Sequence, residues 1–210
     1  MNLKTLATDQ EELSNFVKRY DEPQDIGTVV TGVDVSYSDS IAFGCAVVSD
    51  ITTREIIYST TVTSGIESEY IPGFFQLREG PILIKLLQRL KVPSGIVLID
   101  GNGILHPRRF GLASYVGLTM NLQTVGVAKK LMLGELGVRS GNTADIIHED
   151  ELLGRALWMN KKRPIYISIG HRVSLETAVQ IVRNSCIEGY PEVLRQAHRL
   201  SRELLDDRED

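Results

Sequence analysis

IVLIDGNGILHPRRFG, residues 96–111, joins an apolar run to a dense set of functional groups. The run from Ile96 to Ile99 is short, continuous and apolar, which is typical of a buried strand. It ends at Asp100, and two glycines, a histidine and two arginines follow at once. Ligands of open α/β sheets bind at the carboxyl ends of strands. The stretch therefore predicts an α/β fold with a functional site that begins at Asp100.

The residues before this stretch predict one helix and three strands. Thr8 and Glu11 have the spacing of a capping box, so we expect an N-terminal helix over residues 8–20. Three runs rich in Val, Ile, Thr and Tyr follow, and turn residues separate them. The predicted strands are Thr28–Tyr37, Ile41–Ser49 and Glu55–Ser64. Consecutive strands joined by short turns pair as an antiparallel meander.

Helices and strands alternate through the rest of the chain. Pro81 predicts the first turn of a helix, because a proline there loses no hydrogen bond. Further predicted elements are helix Leu112–Asn121, strands Thr124–Ala128 and Ile165–Ile169, a helix capped by Ser174 and a last helix opened by Pro191. Residues 131–155 show no clear period and are interpreted as a surface excursion. This order predicts a central mixed β-sheet flanked by helices, in one domain over residues 1–210.

Composition is that of an ordinary globular protein, with 42% hydrophobic and 24% charged residues. The net charge of -4 argues against a polybasic coat for nucleic acid, but it allows local basic patches such as Lys161-Lys162-Arg163. Cys45 lies in an apolar run, which favours a reduced, buried thiol. The N-terminus lacks a signal peptide and no run approaches the ~20 apolar residues of a membrane span. We expect a cytoplasmic monomer that does not enter membranes.

Three carboxylates occupy positions that suggest a metal site. Asp34 lies inside an apolar strand, Asp100 ends another, and Glu79 immediately precedes the predicted Pro81 helix. Each alone is also explained by a salt bridge, a turn or a helix-start charge, and for Glu79 that reading is the stronger one. Converging carboxylates repel one another unless a cation holds them, and oxygen ligands suit Mg²⁺ or Mn²⁺. Together they predict two-metal phosphodiester cleavage.

Histidine and basic residues follow three of the predicted strands. The candidates for a phosphate-handling site are Arg108, Arg109, Lys129, His171 and Arg172, whereas His106 alone is interpreted as a structural histidine. Strand ends of an α/β sheet gather at one edge, so we expect these side chains to meet there. Any one of them alone is more often a structural residue. For Arg108 and Arg109 the sequence leaves phosphate contacts and simple loop anchors as equal alternatives.

The stretch EYIPGFFQLRE, residues 69–79, carries exposed-type aromatic residues in a loop. Such a loop most often docks its aromatic rings into the core. The alternative is an apolar wedge, formed by Tyr70, Ile71 and Pro72, that enters a base stack as in base-flipping enzymes. The sequence alone does not choose between the two.

These motifs together resemble the endonuclease V family of deoxyinosine-specific repair nucleases. The resemblance spans nearly the whole chain in family order. It is carried by GVDVSYSDS (32–40), YIPGFFQLREGP (70–81), DGNGILHPRRFGLASYVGL (100–118), TVGVAKKL (124–131), YISIGHRVSLETA (166–178) and a final Pro191-Glu192 helix. Two departures are Glu69, where the wedge motif commonly begins with proline, and the ending EGYPEVLRQAH, which is shorter than the usual turn.

The resemblance implies a ribonuclease H-like fold and a role for each motif. Asp34, Glu79 and Asp100 would be the metal-binding catalytic carboxylates. His171 would be a further active-site histidine, and Lys129 a lysine near the scissile phosphate. Tyr70, Ile71 and Pro72 would form the DNA wedge. The implied base pocket consists of Gly73, Phe75, Gly101, Gly103, His106, Gly111 and Leu112.

The activity implied by the resemblance is Mg²⁺-dependent hydrolysis of the second phosphodiester bond 3′ to deoxyinosine in DNA, with Mn²⁺ as a substitute metal. The products would be a 3′-hydroxyl and a 5′-phosphate. The first alternative is an endoribonuclease for inosine-containing RNA. The second is a non-catalytic nucleic-acid-binding module, which the presence of all three carboxylates opposes.

Overall fold

The computed structural model describes residues 2–207, and its regular elements alternate between strands and helices. The strands are β1 (Val29–Tyr37), β2 (Ile41–Asp50), β3 (Ile56–Gly65), β4 (Ile96–Asp100), β5 (Thr124–Ala128), β6 (Glu135–Leu136), β7 (Thr143–His148), β8 (Glu151–Leu157), β9 (Ile165–His171), β10 (Cys186–Ile187) and β11 (Tyr190–Pro191). The helices are α1 (Leu3–Ser14), α2 (Gln76–Leu87), α3 (Leu112–Met120), α4 (Leu175–Ser185) and α5 (Glu192–Asp206).

Within the described residues the first nine strands form one mixed sheet in the order β3-β2-β1-β4-β5-β9-β8-β7-β6. β1, β2 and β3 are an antiparallel meander, while β1, β4 and β5 run parallel. β9 runs antiparallel to β5, so Ala128 pairs with Tyr166 and Thr124 with His171. The ends of β4 and β5 and the start of β9 therefore share one edge, which we call the Asp100 edge.

Helices cover both faces of the central strands, as predicted for a mixed sheet flanked by helices. The side chains of Val97 and Ile99 pack in one core with α2 and α3. Those of Ile96 and Leu98 pack in the other core with α4 and α5. The unbroken apolar run of β4 follows from this burial on both faces. Among the helices of residues 2–207, none combines the length and apolarity that a membrane span requires.

The N-terminal helix differs from the prediction at both ends. α1 begins at Leu3, and the Asn2 side chain caps it by accepting a hydrogen bond from the Lys4 amide. Thr8 lies inside the helix, where its hydroxyl donates to the Lys4 carbonyl at 3.2 Å. The predicted capping box at Thr8 is therefore wrong. A threonine hydroxyl can either cap the start of a helix or donate to a preceding carbonyl inside the helix, and the local sequence does not distinguish these two arrangements.

The helix predicted to begin at Pro81 begins five residues earlier, at Gln76. Pro81 lies inside α2, where its missing N–H leaves the carbonyl one turn earlier without that bond. The earlier start places Glu79 in the first turn of the helix rather than before it. Packing of the apolar face, which includes Leu83 and Leu86, stabilises the helix despite the proline.

Residues 131–155 are not a surface excursion, because most of them extend the sheet. β6, β7 and β8 pair antiparallel with one another, and β8 pairs with β9. Ile146 and Leu153 are fully buried beneath them, but Ile147 and Leu152 are substantially exposed. Adjacent buried and exposed apolar residues hide the period-two pattern of a strand, which explains the error.

Candidate active site

Asp34, Glu79 and Asp100 line one cavity of about 220 Å³ at the Asp100 edge. The parallel register pairs Val33 of β1 with Ile99 of β4, so Asp34 and Asp100 occupy neighbouring positions on adjacent strands. Glu79 reaches the same cavity from the first turn of α2. The predicted convergence of the three carboxylates is therefore present in the fold.

Negative charge in this cavity is incompletely compensated. Burial, together with the charges of Asp34 and then Asp100, raises the pKa of the Glu79 carboxyl to about 8. A carboxyl group with this pKa is largely protonated at neutral pH, because burial and the two negative charges outweigh the opposing effects of Tyr37 and Arg78. A cation in the cavity would relieve this repulsion.

Protein groups hold the two aspartates in place. The Lys129 ammonium donates to Asp100 Oδ2 at 2.5 Å. The Ser201 hydroxyl donates to Asp34 Oδ2 at 2.7 Å, and His198 Nδ1 lies 3.1 Å from the same oxygen. Both of these groups come from α5, which packs against β1. Lys129 therefore lies beside Asp100, at the same edge of the sheet.

A second, larger cavity of about 410 Å³ adjoins the carboxylates. Of the predicted base-pocket residues, six line it: Gly73, Phe75, Gly101, His106, Gly111 and Leu112. Asp100 and Phe75 line both cavities, so a group bound in the larger one lies next to the carboxylates. Lys129, Lys130 and Tyr70 complete the wall towards solvent.

Gly103 does not line the larger cavity, in contrast to the prediction. A Cβ atom on Gly103 would stand 1.9 Å from the Ile169 carbonyl oxygen, so this glycine allows the loop to press against β9. Gly111 has a similar packing role, since its added Cβ would lie 2.3 Å from the Asn102 carbonyl oxygen. These close backbone contacts shape the floor and the wall of the cavity.

Tyr70 projects from the mouth of the larger cavity, with 58% of its surface exposed. Its ring makes an edge-to-face contact with Phe75, at a centroid distance of 5.7 Å. Pro72 is also exposed, and Ile71 is half-buried. Of the two alternatives for this loop, core docking applies to Phe74, whereas the Tyr70 ring stays exposed to solvent.

His106 forms part of the cavity wall as a buried, neutral ring. Burial and then the charge of Arg108 lower the pKa of His106 to about 4. Its Nδ1 accepts a hydrogen bond from the Arg108 amide at 3.3 Å. This arrangement matches a pocket residue rather than a group that exchanges protons at neutral pH.

The endonuclease V family model matches residues 11–199. The chain belongs to the endonuclease V family. It is 36% identical over 208 residues to endonuclease V of Rippkaea orientalis, an alignment that covers 95% of this chain and 90% of the relative. It is also 36% identical to endonuclease V of Ignicoccus hospitalis, across 93% of this chain and 92% of the relative. The chain is therefore an endonuclease, a hydrolase of phosphodiester bonds.

Solved endonuclease V structures share the fold of this chain. The structure from Streptomyces avermitilis matches with a TM-score of 0.89 and 32% identity, covering 100% of this chain and 95% of that one. Ciona intestinalis endonuclease V, solved in complex with a 24mer DNA containing an inosine followed by a ribo-adenosine, matches with a TM-score of 0.89 and 32% identity. That match covers 98% of each chain.

His171 and Arg172 do not join the endonuclease V site, which corrects the prediction for both. β9 runs antiparallel to β5, so its last residue pairs with Thr124 at the opposite edge from Asp100. His171 is buried there, and its Nδ1 accepts from the Lys18 amide at 3.2 Å. Burial and then the charge of Arg172 lower the pKa of His171 to about 4. The error came from assuming that β9 is parallel.

The three arginines proposed as phosphate ligands are loop anchors. Arg172 donates to the carbonyls of Glu22 and Asn121. Arg108 donates to the Gly73 carbonyl at 2.6 Å and lies over the Phe74 ring, which ties the wedge loop to the pocket. The guanidinium of Arg109 is largely buried and bonds the carboxylate of Glu151 at 2.7 Å. Each guanidinium is therefore committed within the protein.

His198 and Tyr190 are site residues that the motifs did not predict. The Tyr190 hydroxyl is buried without a hydrogen-bond partner among the described residues, and the Lys129 ammonium lies 4.8 Å from the ring centroid. Burial and the nearby charge of Asp100 raise the pKa of Tyr190 far above its usual value. The short turn in EGYPEVLRQAH and the final Pro191-Glu192 helix marked this region in the sequence, but no spacing rule links residue 198 to residue 34.

The carboxylates of this endonuclease V chain fit a divalent cation by donor chemistry. They offer hard oxygen ligands in one cavity, and the raised pKa of Glu79 reflects its burial and then the charges of Asp34 and Asp100, which a cation would balance. Across residues 2–207, however, no three His, Cys, Asp or Glu side chains already stand in the arrangement of a formed metal site. A bound cation would therefore replace contacts that Lys129 and His198 now make with the aspartates.

Proposed function

We propose that the protein is a Mg²⁺-dependent endonuclease that recognises inosine in DNA. In this proposal it hydrolyses the second phosphodiester bond 3′ to the lesion and leaves a 3′-hydroxyl and a 5′-phosphate. The observation that carries the proposal is the pair of adjoining cavities, one lined by carboxylates and one of base size, which share Asp100 and Phe75. The inosine-containing DNA bound by the Ciona intestinalis relative supports the substrate class.

The carboxylates would hold the metal and Lys129 would hold the phosphate. When bound, Mg²⁺ or Mn²⁺ supplies charge neutralisation and activates water for phosphodiester hydrolysis. Asp34, Glu79 and Asp100 would bind it. Lys129 bonds Asp100 and lines the larger cavity, so its ammonium would be within reach of a phosphate bound beside the carboxylates.

His198 is placed to handle a proton at the carboxylate cluster. Its side chain is exposed, and its Nδ1 lies 3.1 Å from Asp34 Oδ2. An imidazole in this position would be able to accept a proton from an attacking water held beside Asp34.

The larger cavity would accept the extruded base. Hypoxanthine, the base of inosine, presents a carbonyl at C6 and an N1–H where adenine presents an amine and an acceptor. Backbone groups around Gly101 and Gly111 can read this difference. Inosine pairs are weaker than normal pairs, which lowers the cost of extrusion, and Tyr70 would fill the space that the base leaves.

An end-labelled duplex with a single deoxyinosine, incubated with Mg²⁺ and mapped on a sequencing gel, tests the proposal. We expect one nick at the second phosphodiester 3′ to the lesion, none in a matched adenine duplex, and none with Asp100→Ala. Asp9→Ala, which changes an exposed carboxylate on α1, is the control and should nick normally. A nick that persists in Asp100→Ala, or no nick in wild type, contradicts the proposal.

A second candidate is cleavage of inosine-containing RNA. The ribo-adenosine after the inosine in the strand bound by the Ciona intestinalis relative favours this possibility. Matched DNA and RNA oligonucleotides, each with one inosine, separate the two functions by their relative cleavage rates.

We further propose that the enzyme acts as a monomer in the cytoplasm. Two free, buried cysteines suit a reducing compartment. Sedimentation at micromolar concentration tests the monomer.

A further inference from the structure

The loop between β8 and β9, residues 158–164, lies at the Asp100 edge. β9 starts at Ile165, and its next residue, Tyr166, pairs with Ala128 at the end of β5. The loop is therefore two strands away from β4, whose last residue is Asp100. With neighbouring strands about 4.8 Å apart, the start of β9 is displaced by about 10 Å from Asp100.

This loop carries three cationic side chains that the protein itself leaves unused. Lys161, Lys162 and Arg163 are all exposed. None of them has a hydrogen bond or an ion pair with another residue in the range 2–207. Arg108 and Arg109, by contrast, are committed to internal contacts. The positive charge of the loop is therefore available to an external anion.

A short series of contacts connects the loop to the carboxylates. The aliphatic stem of Lys161 packs over Gly189, where an added Cβ would stand 2.6 Å from Lys161 Cε. The next residue, Tyr190, lies beneath the Lys129 ammonium, and Lys129 bonds Asp100. Gly189 has a φ of 87°, which favours glycine at this contact. The loop is thus packed against the hairpin of β10 and β11 that also supports the site.

One acidic side chain shares the hollow between the loop and this hairpin. Glu188 lines it together with Lys161, but the Glu188 carboxylate lies 3.7 Å from a guanidinium nitrogen of Arg195. Arg195 also bonds Glu192 at 2.7 Å, so its charge is shared between two carboxylates and compensates Glu188 only in part. Lys162 and Arg163 are not among the residues that line this hollow. The whole chain has a net charge of -4, so a polyanion would bind at a local basic patch of this kind rather than over the surface in general.

We propose that loop 158–164 is a second contact site for nucleic acid, which binds backbone phosphates outside the lesion. This inference rests on the proposed function and extends it along the strand. At an axial rise of about 3.4 Å per nucleotide, a lateral distance of about 10 Å corresponds to phosphates about three nucleotides or more from the scissile bond. The contact would be electrostatic and independent of sequence, because ammonium and guanidinium groups on a loop bind phosphates rather than base edges.

Salt-dependent binding of a deoxyinosine duplex tests the inference. The variant is Lys162→Gln/Arg163→Gln, and Arg54→Gln/Lys91→Gln is the matched control. The control removes one lysine and one arginine that are exposed near the opposite edge of the sheet. Binding is measured by anisotropy in EDTA from 50 to 300 mM salt, where no cleavage occurs.

We expect the Lys162→Gln/Arg163→Gln variant to bind more weakly at 0.1 M salt by about tenfold or more. The slope of log Kd against log salt should fall by about 1.8, at ~0.9 per lost duplex phosphate contact. The control should match wild type. Binding is also compared with duplexes that are shortened stepwise from each end. On one side, the difference in affinity between wild type and the variant should disappear once the duplex ends within about three nucleotides of the scissile bond.

An unchanged slope and affinity in the Lys162→Gln/Arg163→Gln variant overturns the inference, as does an equal loss in the control variant. In either case wild-type nicking of the deoxyinosine duplex would still support the proposed function. Failure of wild type to bind and to nick overturns both. Circular dichroism of each variant checks that the fold is intact.

Discussion

Replacing Glu79 by glutamine should stabilise the metal-free protein, and the gain should grow with pH. The folded-state pKa of Glu79 is about 8, against 4.5 for the free side chain. The folded protein therefore binds more protons than the unfolded chain between these values. The stability that results from this raised pKa of Glu79 is complete below pH 4.5 and is lost as the pH rises through 8. Glu79→Gln keeps the size and the hydrogen-bonding capacity of the protonated form, so it does not suffer this loss.

The size of the effect follows from the pKa difference. At ~1.36 kcal/mol per unit, the ionisation of Glu79 costs the folded state roughly 4 kcal/mol at pH 8 and roughly 1 kcal/mol at pH 5.5. These are upper figures, because water and loosely held cations screen charges in an open cavity. Glu79→Gln should therefore gain up to about 3 kcal/mol in unfolding free energy, relative to wild type, between pH 5.5 and pH 8.

Urea unfolding in EDTA at several pH values measures this gain. Glu69→Gln, which changes an exposed carboxyl group near the same loop, is the control and should follow wild type at every pH. Saturating Mg²⁺ should stabilise wild type more than Glu79→Gln, because the cation relieves a repulsion that the variant lacks. The same pH dependence in wild type and Glu79→Gln would refute the inference that burial and the charges of Asp34 and Asp100 raise the pKa of Glu79.

Three further predictions concern the pocket. Gly103→Ala should lower the free energy of unfolding by about 3 kcal/mol, because its Cβ would overlap the Ile169 carbonyl, whereas Gly27→Ala, with no atom within 4 Å, should change Tm little. Tyr70→Ala should slow the cleavage of deoxyinosine DNA by about tenfold with an unchanged Tm, and Tyr70→Phe should retain activity, because one stacked base is worth ~1–3 kcal/mol. The pKa of His106 is depressed in the folded protein, so the unfolded chain binds the extra proton first and the free energy of unfolding should fall by on the order of 3 kcal/mol between pH 6.5 and pH 4. Urea unfolding of His106→Gln should lack this part of the pH dependence.

Local patterns in the sequence were enough to predict the central strands and the carboxylates. The run from Ile96 to Ile99 is apolar because helices cover both of its faces, and that burial leaves a local signature. Asp34 and Asp100 stand out because a charge inside or at the end of such a run is costly without a function. Glu79 and Lys129 were candidates by position, the family resemblance implied a role for each, and both lie beside the aspartates in the fold.

Strand direction and helix packing were decided by tertiary structure alone. Pattern and composition do not state whether a strand runs parallel or antiparallel, so His171 was placed at the wrong edge of the sheet. Similarly, whether Arg109 binds a phosphate or anchors a loop depends on Glu151, a residue far along the chain. His198 meets Asp34 only because α5 packs across β1. Contacts between residues distant in sequence arise from packing geometry, whereas the burial of each strand is already encoded in its own residues.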